Sequence, residues 1–95
     1  MSVEVVVSHH VSDYDKWYQG FTEHGDVRRS HGATGHRLYR SLDDPGAVTI
    51  VNEFADEAGA RAFLTDPSLG DAMARAGVDS EPTVRVCNAE EVVTY

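Results

Sequence analysis

The sequence contains a single cysteine, Cys87, among its 95 residues. One cysteine cannot form an intramolecular disulfide, so a small fold held together by disulfides is excluded. Cys87 falls in a predicted strand, where a small buried residue is the usual interpretation and a reactive thiol the rarer one. Apolar runs long enough to span a membrane are also missing, as is a secretory leader. We therefore expect a cytoplasmic protein.

Positive charge is scarce as well. Eight Lys and Arg residues stand against sixteen Asp and Glu residues, for a formal net charge of −8 at pH 7. Nucleic acids and anionic membranes bind clustered positive charge, so neither is expected as a partner. Glycine-rich phosphate-binding motifs and a glycine-flanked serine nucleophile are absent too. These absences argue against the commonest nucleotide-binding and hydrolase classes.

What the chain does contain is a regular alternation of strands and helices within one domain, residues 1–95. A valine-rich strand is predicted from about Ser2 to Val11, because Val3, Val5 and Val7 alternate onto one face. A helix is predicted to begin at Ser12, which can act as its N-cap. Four residues of this helix fall on one stripe at helical spacing: Tyr14, Trp17, Phe21 and His24.

The rest of the chain repeats this plan. Two strands, about His36–Ser41 and Ala47–Phe54, flank a turn signal formed by Asp43-Asp44-Pro45-Gly46. Asp56 and Asp66 are predicted to cap two further helices, the second with proline at its first position. A last strand is predicted at about Thr83 to Asn88.

The predicted order, strand-helix-strand-strand-helix-strand, is the βαββαβ plan of an α+β ferredoxin-like fold. Connection rules then give a four-stranded antiparallel sheet of order 4-1-3-2 with the helices on one face. The other face carries apolar residues, such as Val6 and Val51, which need to be buried. Two copies packed sheet to sheet would bury them, so we expect a homodimer.

Several segments resemble one known superfamily. They are 9–17 (HHVSDYDKW), Asp44-Pro45, 51–54 (VNEF), 62–64 (AFL) and 67–78 (PSLGDAMARAGV). In these segments the chain resembles the dimeric α+β barrel proteins, and within them the small antibiotic biosynthesis monooxygenase-like and cyclase-like proteins. The resemblance implies a barrel formed by two sheets, with a small hydrophobic or aromatic ligand held between sheet and helices. It covers cofactor-free monooxygenases, polyketide cyclases, lactone isomerases, haem-degrading enzymes and proteins without known activity.

His9 and His10 are the first candidates for catalysis. Adjacent strand residues point to opposite faces, so only one of the pair can face the helices, and parity favours His9. A histidine at the rim of an apolar cavity could serve as a general base or hydrogen-bond donor. The alternative is a partly exposed strand end without a function, and a bulge at this pair would reverse the assignment.

Asn52 is the third catalytic candidate. It shares a strand face with Val48, Ile50 and Phe54, so its amide is expected to be buried and to need partners. One interpretation is a hydrogen bond to the backbone in the core. The other is an oxyanion or carbonyl donor for a bound ligand.

The candidate ligand-binding residues are mainly apolar or aromatic. They are Tyr14, Trp17, Phe21, His24, Tyr39, Phe63 and Met73. Simple core packing is the favoured interpretation of the aromatic stripe, although both roles can hold for a pocket under that helix. His24, His31 and His36 match no metal-binding spacing, so neither a metal nor another cofactor is expected. His31 and His36 are expected at the opposite end of the domain from His9, His10 and Trp17.

The resemblance and these residues together favour a small-molecule enzyme acting on an aromatic or polyketide-like metabolite. The reaction would be cofactor-independent oxygenation, or a cyclisation or isomerisation driven by proton transfer. A non-catalytic module that binds a hydrophobic ligand, or a dimeric accessory protein, is the alternative. Haem degradation is a second alternative and requires an axial histidine in a roomy cavity.

Overall fold

A computed structural model describes residues 3–95. Its elements follow the predicted alternation, except that the first helical segment is also divided into two helices. In chain order they are β1 (Val3–His10), α1 (Tyr14–Glu23), α2 (Gly25–Ser30), β2 (Ala33–Arg40), β3 (Ala47–Phe54), α3 (Glu57–Leu64), α4 (Pro67–Arg75) and β4 (Thr83–Asn88). The α+β ferredoxin-like architecture is confirmed. The predicted start of the first strand at Ser2 lies outside the described residues.

The four strands form one sheet in the order β2-β3-β1-β4, and every neighbouring pair is antiparallel. This is the predicted order 4-1-3-2 read from the other edge, so the topology is confirmed. The two central strands, β1 and β3, place Val7 opposite Ile50 and His9 opposite Val48.

One face of the sheet is buried beneath the helices. Burial alternates along β1 and β3, because successive strand residues point to opposite faces. Val5 and Phe54 from the sheet are at most 1% exposed, and Trp17 and Phe63 from the helices are each 3% exposed. This alternation determines which strand residues can reach a ligand between the two layers.

The first helical segment differs from the prediction at both ends. Its N-cap is Asp13, whose carboxylate accepts a hydrogen bond from the Lys16 backbone N–H at 3.2 Å. Ser12, the predicted cap, instead donates to the Gly77 carbonyl oxygen at 3.4 Å. The segment is not continuous either, because His24 leaves the helical conformation between α1 and α2. Gly25, the first residue of α2, lowers the helix propensity at this break.

The strand β2 begins at Ala33, three residues before the predicted start at His36. Gly32, with φ of +91°, is the residue that separates α2 from β2. Gly35 lies inside β2 beside a register irregularity. Val11 was predicted to end β1, whereas it forms an isolated bridge to Val78. The bounds of β3 and β4 agree with the prediction.

The second helical segment forms as predicted. Asp56 accepts from the Gly59 N–H at 2.8 Å and Asp66 from the Ser68 N–H at 2.9 Å, so both residues cap their helices. Helix α4 contains no fully buried residue, whereas α3 buries Ala60 and Phe63. Helix α4 is therefore the more loosely packed cover of the sheet. In the part of the chain that the structure describes, every helix is too short or too polar to cross a membrane.

Candidate active site between the sheet and the helices

A cavity of about 70 Å³ lies between the buried face of the sheet and the helices. All four helices and strands β1, β3 and β4 contribute to its wall. Most of the wall is apolar, formed by Val7, Trp17, Gly20, Phe21, Ile50, Phe63, Leu64, Leu69, Ala72, Met73, Ala76 and Val84. Its polar members are His9, His24, Arg28 and Asn52. An apolar pocket with a few convergent polar groups is the usual form of a small-molecule site.

Aromatic rings form one continuous side of the cavity. Trp17 and Phe21, four residues apart on α1, stack with ring centres 5.1 Å apart. The Trp17 ring also meets the imidazole of His9 edge to face at 5.6 Å. A flat ligand entering the cavity would therefore meet aromatic rings on the helix side and the polar groups of His9 and Asn52 on the sheet side.

His9 reaches the cavity from β1 and is only 7% exposed. Its Nδ1 is buried and has no hydrogen-bond partner among residues 3–95. Burial lowers the pKa of His9 below its ordinary value, because removing water disfavours the charged ring. The imidazole is thus neutral at pH 7 and can accept a proton.

Asn52 reaches the cavity from β3, on the same face as Ile50. Its side chain is 3% exposed, and its Oδ1 is the second buried polar atom with no partner in the described chain. Since the two ends of an amide can exchange places by rotation, Asn52 can offer a ligand either its carbonyl or its NH₂ group. The backbone partner considered for this amide in the sequence analysis is not present at Oδ1.

His10 lies on the opposite side of β1, away from this cavity. Its Nδ1 is 2.7 Å from Asp79 Oδ1, and its Nε2 is 3.5 Å from Asp44 Oδ1. The hydrogen bond to Asp79 is the main reason that the pKa of His10 is raised. The structure therefore gives the two neighbouring histidines different surroundings and leaves His9 as the only one of the pair on the cavity wall.

His24 ends a chain of hydrogen bonds that leads away from the cavity. Its Nε2 is 2.9 Å from Ser68 Oγ, and that hydroxyl donates to Asp66 Oδ1 at 2.7 Å. The other oxygen of Asp66 lies 2.8 Å from His31 Nε2. Bonds from His31 and Ser68 hold the pKa of Asp66 well below its usual range. Because the Ser68 hydrogen is used on Asp66, His24 must donate from Nε2 when neutral.

Two of the predicted ligand-binding residues lie outside the cavity wall. Tyr14 stacks on Tyr18 with ring centres 6.1 Å apart and carries the Arg40 guanidinium over its ring at 3.8 Å. Tyr39 is 51% exposed and pairs with Thr49 on the sheet face that the helices leave uncovered. The other five predicted ligand-binding residues, namely Trp17, Phe21, His24, Phe63 and Met73, all line the cavity.

The remaining histidines do not converge on a metal site. His31 is bonded to Asp66, and His36 packs edge to face on Phe21 at 5.0 Å. Across residues 3–95 there is no group of three or more His, Cys, Asp or Glu side chains arranged to hold a metal ion.

Arg28 is a polar wall residue that is not among the candidates named from the sequence. The structure buries it to 7% exposure and places its Cζ 3.7 Å from the centre of the Phe21 ring. Burial, with a smaller contribution from Arg29, lowers the pKa of Arg28 to about 10. The helical spacing could have identified Arg28 as a wall residue. Steps of three and four residues place it on the same stripe as Trp17, Phe21 and His24.

Comparison with solved structures finds this fold in several proteins. A mutant of SnoaB, a cofactor-independent oxygenase from Streptomyces nogalater, superposes with a TM-score of 0.79 at 16% identity, covering 99% of this chain and 98% of that one. An antibiotic biosynthesis monooxygenase gives 0.70 at 16% identity, with 94% and 99% covered. A protein of unknown function from Nitrosomonas europaea gives 0.69 at 17% identity, with 99% and 94% covered.

Sequence comparison, in contrast, finds no matching family model and no matching curated protein. At identities of 16 to 17%, the likeness to the solved structures establishes the fold and leaves substrate and reaction open. The likeness confirms the fold predicted from the sequence: the chain shares the α+β ferredoxin-like fold of these solved structures.

Proposed function

We propose that this protein is a small-molecule enzyme that removes a proton from an aromatic or polyketide-like ligand bound in the cavity. The observation that carries the proposal is the pair of buried atoms without partners, His9 Nδ1 and Asn52 Oδ1. A buried polar atom without a partner costs about 1–3 kcal/mol. Both atoms belong to residues on the wall of a single apolar cavity, which supports a role in binding a ligand that completes their hydrogen bonds.

His9 is the proposed general base. Its lowered pKa keeps the ring neutral near pH 7, and Nδ1 is free to take a proton from an acidic C–H or O–H group of the ligand. A positioned base of this kind contributes typically 10²–10⁴-fold to a rate. Asn52 would hold the enolate oxygen through its NH₂ group, or a ligand hydroxyl through its carbonyl.

Oxygenation is the reaction we favour, by analogy with the oxygenase whose fold this chain shares. The ligand anion formed by His9 would pass an electron to O₂, and the two radicals would combine into a peroxide. Loss of water then turns a ring CH₂ into C=O, so that one O₂ is consumed and one H₂O released. Cyclisation or isomerisation would use the same base and the same oxygen-binding group without O₂.

The size of the cavity limits what can enter. At about 70 Å³, it is smaller than the ~150 Å³ apolar cavity that accepts benzene. A ring system can enter only if part of the wall moves, and α4, with no fully buried residue, is the part that is least tightly held. A haem group is far larger still, so haem degradation is the least favoured alternative.

The test uses 1,8-dihydroxyanthrone, a three-ring ketone with an acidic CH₂ group, as the probe. Binding is followed by quenching of Trp17, the single tryptophan of the chain and part of the cavity wall. Turnover is followed by O₂ consumption and by the absorbance of the quinone product. We expect turnover above the uncatalysed rate, with a loss of 100-fold or more in His9→Gln.

His10→Gln is the matched control, since it removes the neighbouring imidazole without touching the cavity. Quenching of Trp17 without any product would support the alternative, a non-catalytic binding module. Equal rates for wild type and His9→Gln would remove His9 from the mechanism. Turnover that continues without O₂ and yields an isomer would favour the cyclase or isomerase form of the proposal.

The proposal includes a cytoplasmic homodimer built by packing the two uncovered sheet faces together. Val6 and Val51 pair with each other at the centre of that face and are only partly buried in the single chain. Val51→Lys is expected to shift the protein from dimer to monomer in size-exclusion chromatography with light scattering. Leu42→Lys is the control, because Leu42 is fully exposed in the β2–β3 turn. A monomeric wild type would contradict this part of the proposal.

A further inference from the structure

We propose that Arg28 forms an anion-binding subsite of the cavity and that the natural ligand carries a carboxylate that this guanidinium binds. The inference rests on the proposed function only in that it takes the same cavity to be the ligand site. It adds the chemical class of the ligand, an aromatic acid, to a mechanism that otherwise requires only an apolar molecule with an acidic proton.

The first argument is that Arg28 is a buried cation without a counter-ion. Arg28 is 7% exposed, and no ion pair within residues 3–95 includes it. Charged side chains are almost never this buried unless they are paired, because an unpaired charge loses its hydration without compensation. The neighbouring Arg29 shows the usual arrangement, since it is exposed and paired with Asp26.

The second argument is the composition of the wall around Arg28. Its ionisable members are His9, His24 and Arg28, and no Asp or Glu among residues 3–95 lines the cavity. Burial lowers the pKa values of His24 and His36, and the charge of Arg28 lowers both further, which places the two imidazoles in its field. Asp66, which acts on His24 in the opposite direction, is engaged by Ser68 and His31. This end of the cavity thus offers donors and positive charge to a ligand.

The third argument is the shape of the subsite, which favours a carboxylate on a flat ring. The guanidinium lies over the Phe21 ring, and Phe21 stacks on Trp17. A planar ligand in the cavity beside this stack would present an in-plane carboxylate to the edge of the guanidinium, the fork geometry that arginine prefers. Most of the wall is apolar, which suits one small planar anion better than a heavily hydrated phosphate.

The test compares two ligands of nearly the same shape, 2-naphthoate and 2-naphthamide, by isothermal titration calorimetry at pH 7. In the second, a neutral NH₂ group replaces one oxygen of the carboxylate. Wild type is expected to bind the acid at least about tenfold more tightly than the amide, because the Arg28 guanidinium forms a charge-assisted bidentate bond with the carboxylate. Arg28→Met should remove this preference and leave the affinity for the amide nearly unchanged. Arg28→Lys should retain part of the preference, and the control Arg29→Gln all of it.

Equal affinity of wild type for the two ligands, or no measurable binding of either, would overturn the proposal. So would a loss of preference in Arg29→Gln as large as that in Arg28→Met, because the effect would then be one of general surface charge. The readout also separates this inference from the proposed function. Selective binding of the acid without turnover of any probe would contradict the proposed enzymatic function and support the anion-binding subsite at Arg28. Turnover of the neutral anthrone, together with equal affinity for the acid and the amide, would support the enzymatic function and contradict the subsite.

Discussion

His9 and His10 are adjacent in the sequence and have opposite surroundings in the fold. His9 faces the helices, is almost completely buried and has a lowered pKa because its charged form would lose water. His10 faces away, lies near Asp79 and Asp44, and has a raised pKa because its charged form gains partners. The alternation of a β-strand is the sole structural reason for this difference.

The comparison shows that a missing hydrogen-bond partner is what marks a histidine as a candidate for ligand binding. His10 has the partners that a surface histidine normally finds, and so nothing about it calls for a ligand. His9 keeps an unpartnered Nδ1 inside an apolar wall, at a cost to folding that a purely structural residue would not be expected to carry. Each prediction below changes one side of this contrast.

The largest expected effect is on stability. Replacing His9 with leucine removes the buried unpartnered nitrogen, worth about 1–3 kcal/mol, and loses the edge contact with Trp17, worth about 0.5–1.5 kcal/mol. We expect His9→Leu to raise the free energy of unfolding by about 1 kcal/mol, while the proposed activity is lost. Urea denaturation measures this change.

His10→Leu is the matched variant and should change stability in the opposite direction. It removes the hydrogen bond to Asp79 and exposes an apolar side chain. If both leucine variants lowered the free energy of unfolding, Nδ1 of His9 would have a partner in solution, and the contrast between the two histidines would fail.

The next effect is on the ionisation of the two rings. Histidine pKa values measured by NMR should lie on either side of the ordinary value of about 6.5, with His9 below and His10 above. Assignment follows from the single variants His9→Gln and His10→Gln, each of which removes one titrating resonance. Two curves that coincide near 6.5 would contradict the burial of His9 and the pairing of His10 together.

The same shifts make the pH dependence of stability different for the two residues. A group with a lowered folded pKa binds more protons when unfolded, so His9 destabilises the fold as pH falls below about 6.5. His10, with a raised folded pKa, stabilises the fold below about 6.5, and this contribution is lost as pH rises through its folded pKa.

Urea unfolding of wild type and both glutamine variants from pH 5.5 to 8 therefore gives two opposite trends. The stability of wild type relative to His10→Gln should fall as pH rises. Relative to His9→Gln it should rise over the lower half of the range. Parallel curves for all three proteins would mean that neither ring changes its pKa on folding.

The sequence predicted most of the fold because the fold depends on patterns that are local. Alternating valines in β1, the turn at Asp44-Pro45-Gly46 and the caps Asp56 and Asp66 each act within a few residues. The errors arose where two local signals compete. Ser12 and Asp13 can both cap a helix, and Asp13 does so because Ser12 is bonded to Gly77, 65 residues away.

The cavity was only partly predictable, for a related reason. Parity on a strand placed His9 and Asn52 on the helix side, and helical spacing placed Trp17 and Phe21 opposite them. Whether a polar atom finds a partner depends on the packing of several elements at once, which no local pattern contains. Arg28 is the clear example, since a helix-end arginine usually extends into water and this one lies over Phe21.

The smallest expected effect concerns Asp79, which raises the pKa of His10 more than that of His9. Its hydrogen bond is the largest cause of the raised pKa of His10, whereas for His9 its charge is a minor contribution beside burial. Asp79→Asn should therefore bring the pKa of His10 most of the way back to about 6.5 and lower that of His9 slightly further. NMR titration measures both shifts in one sample, and Asp71→Asn, which removes a charge from α4 instead, serves as the control. A shift at His9 as large as the one at His10 would show that long-range charge sets its pKa, and the desolvation argument for a neutral base would no longer hold.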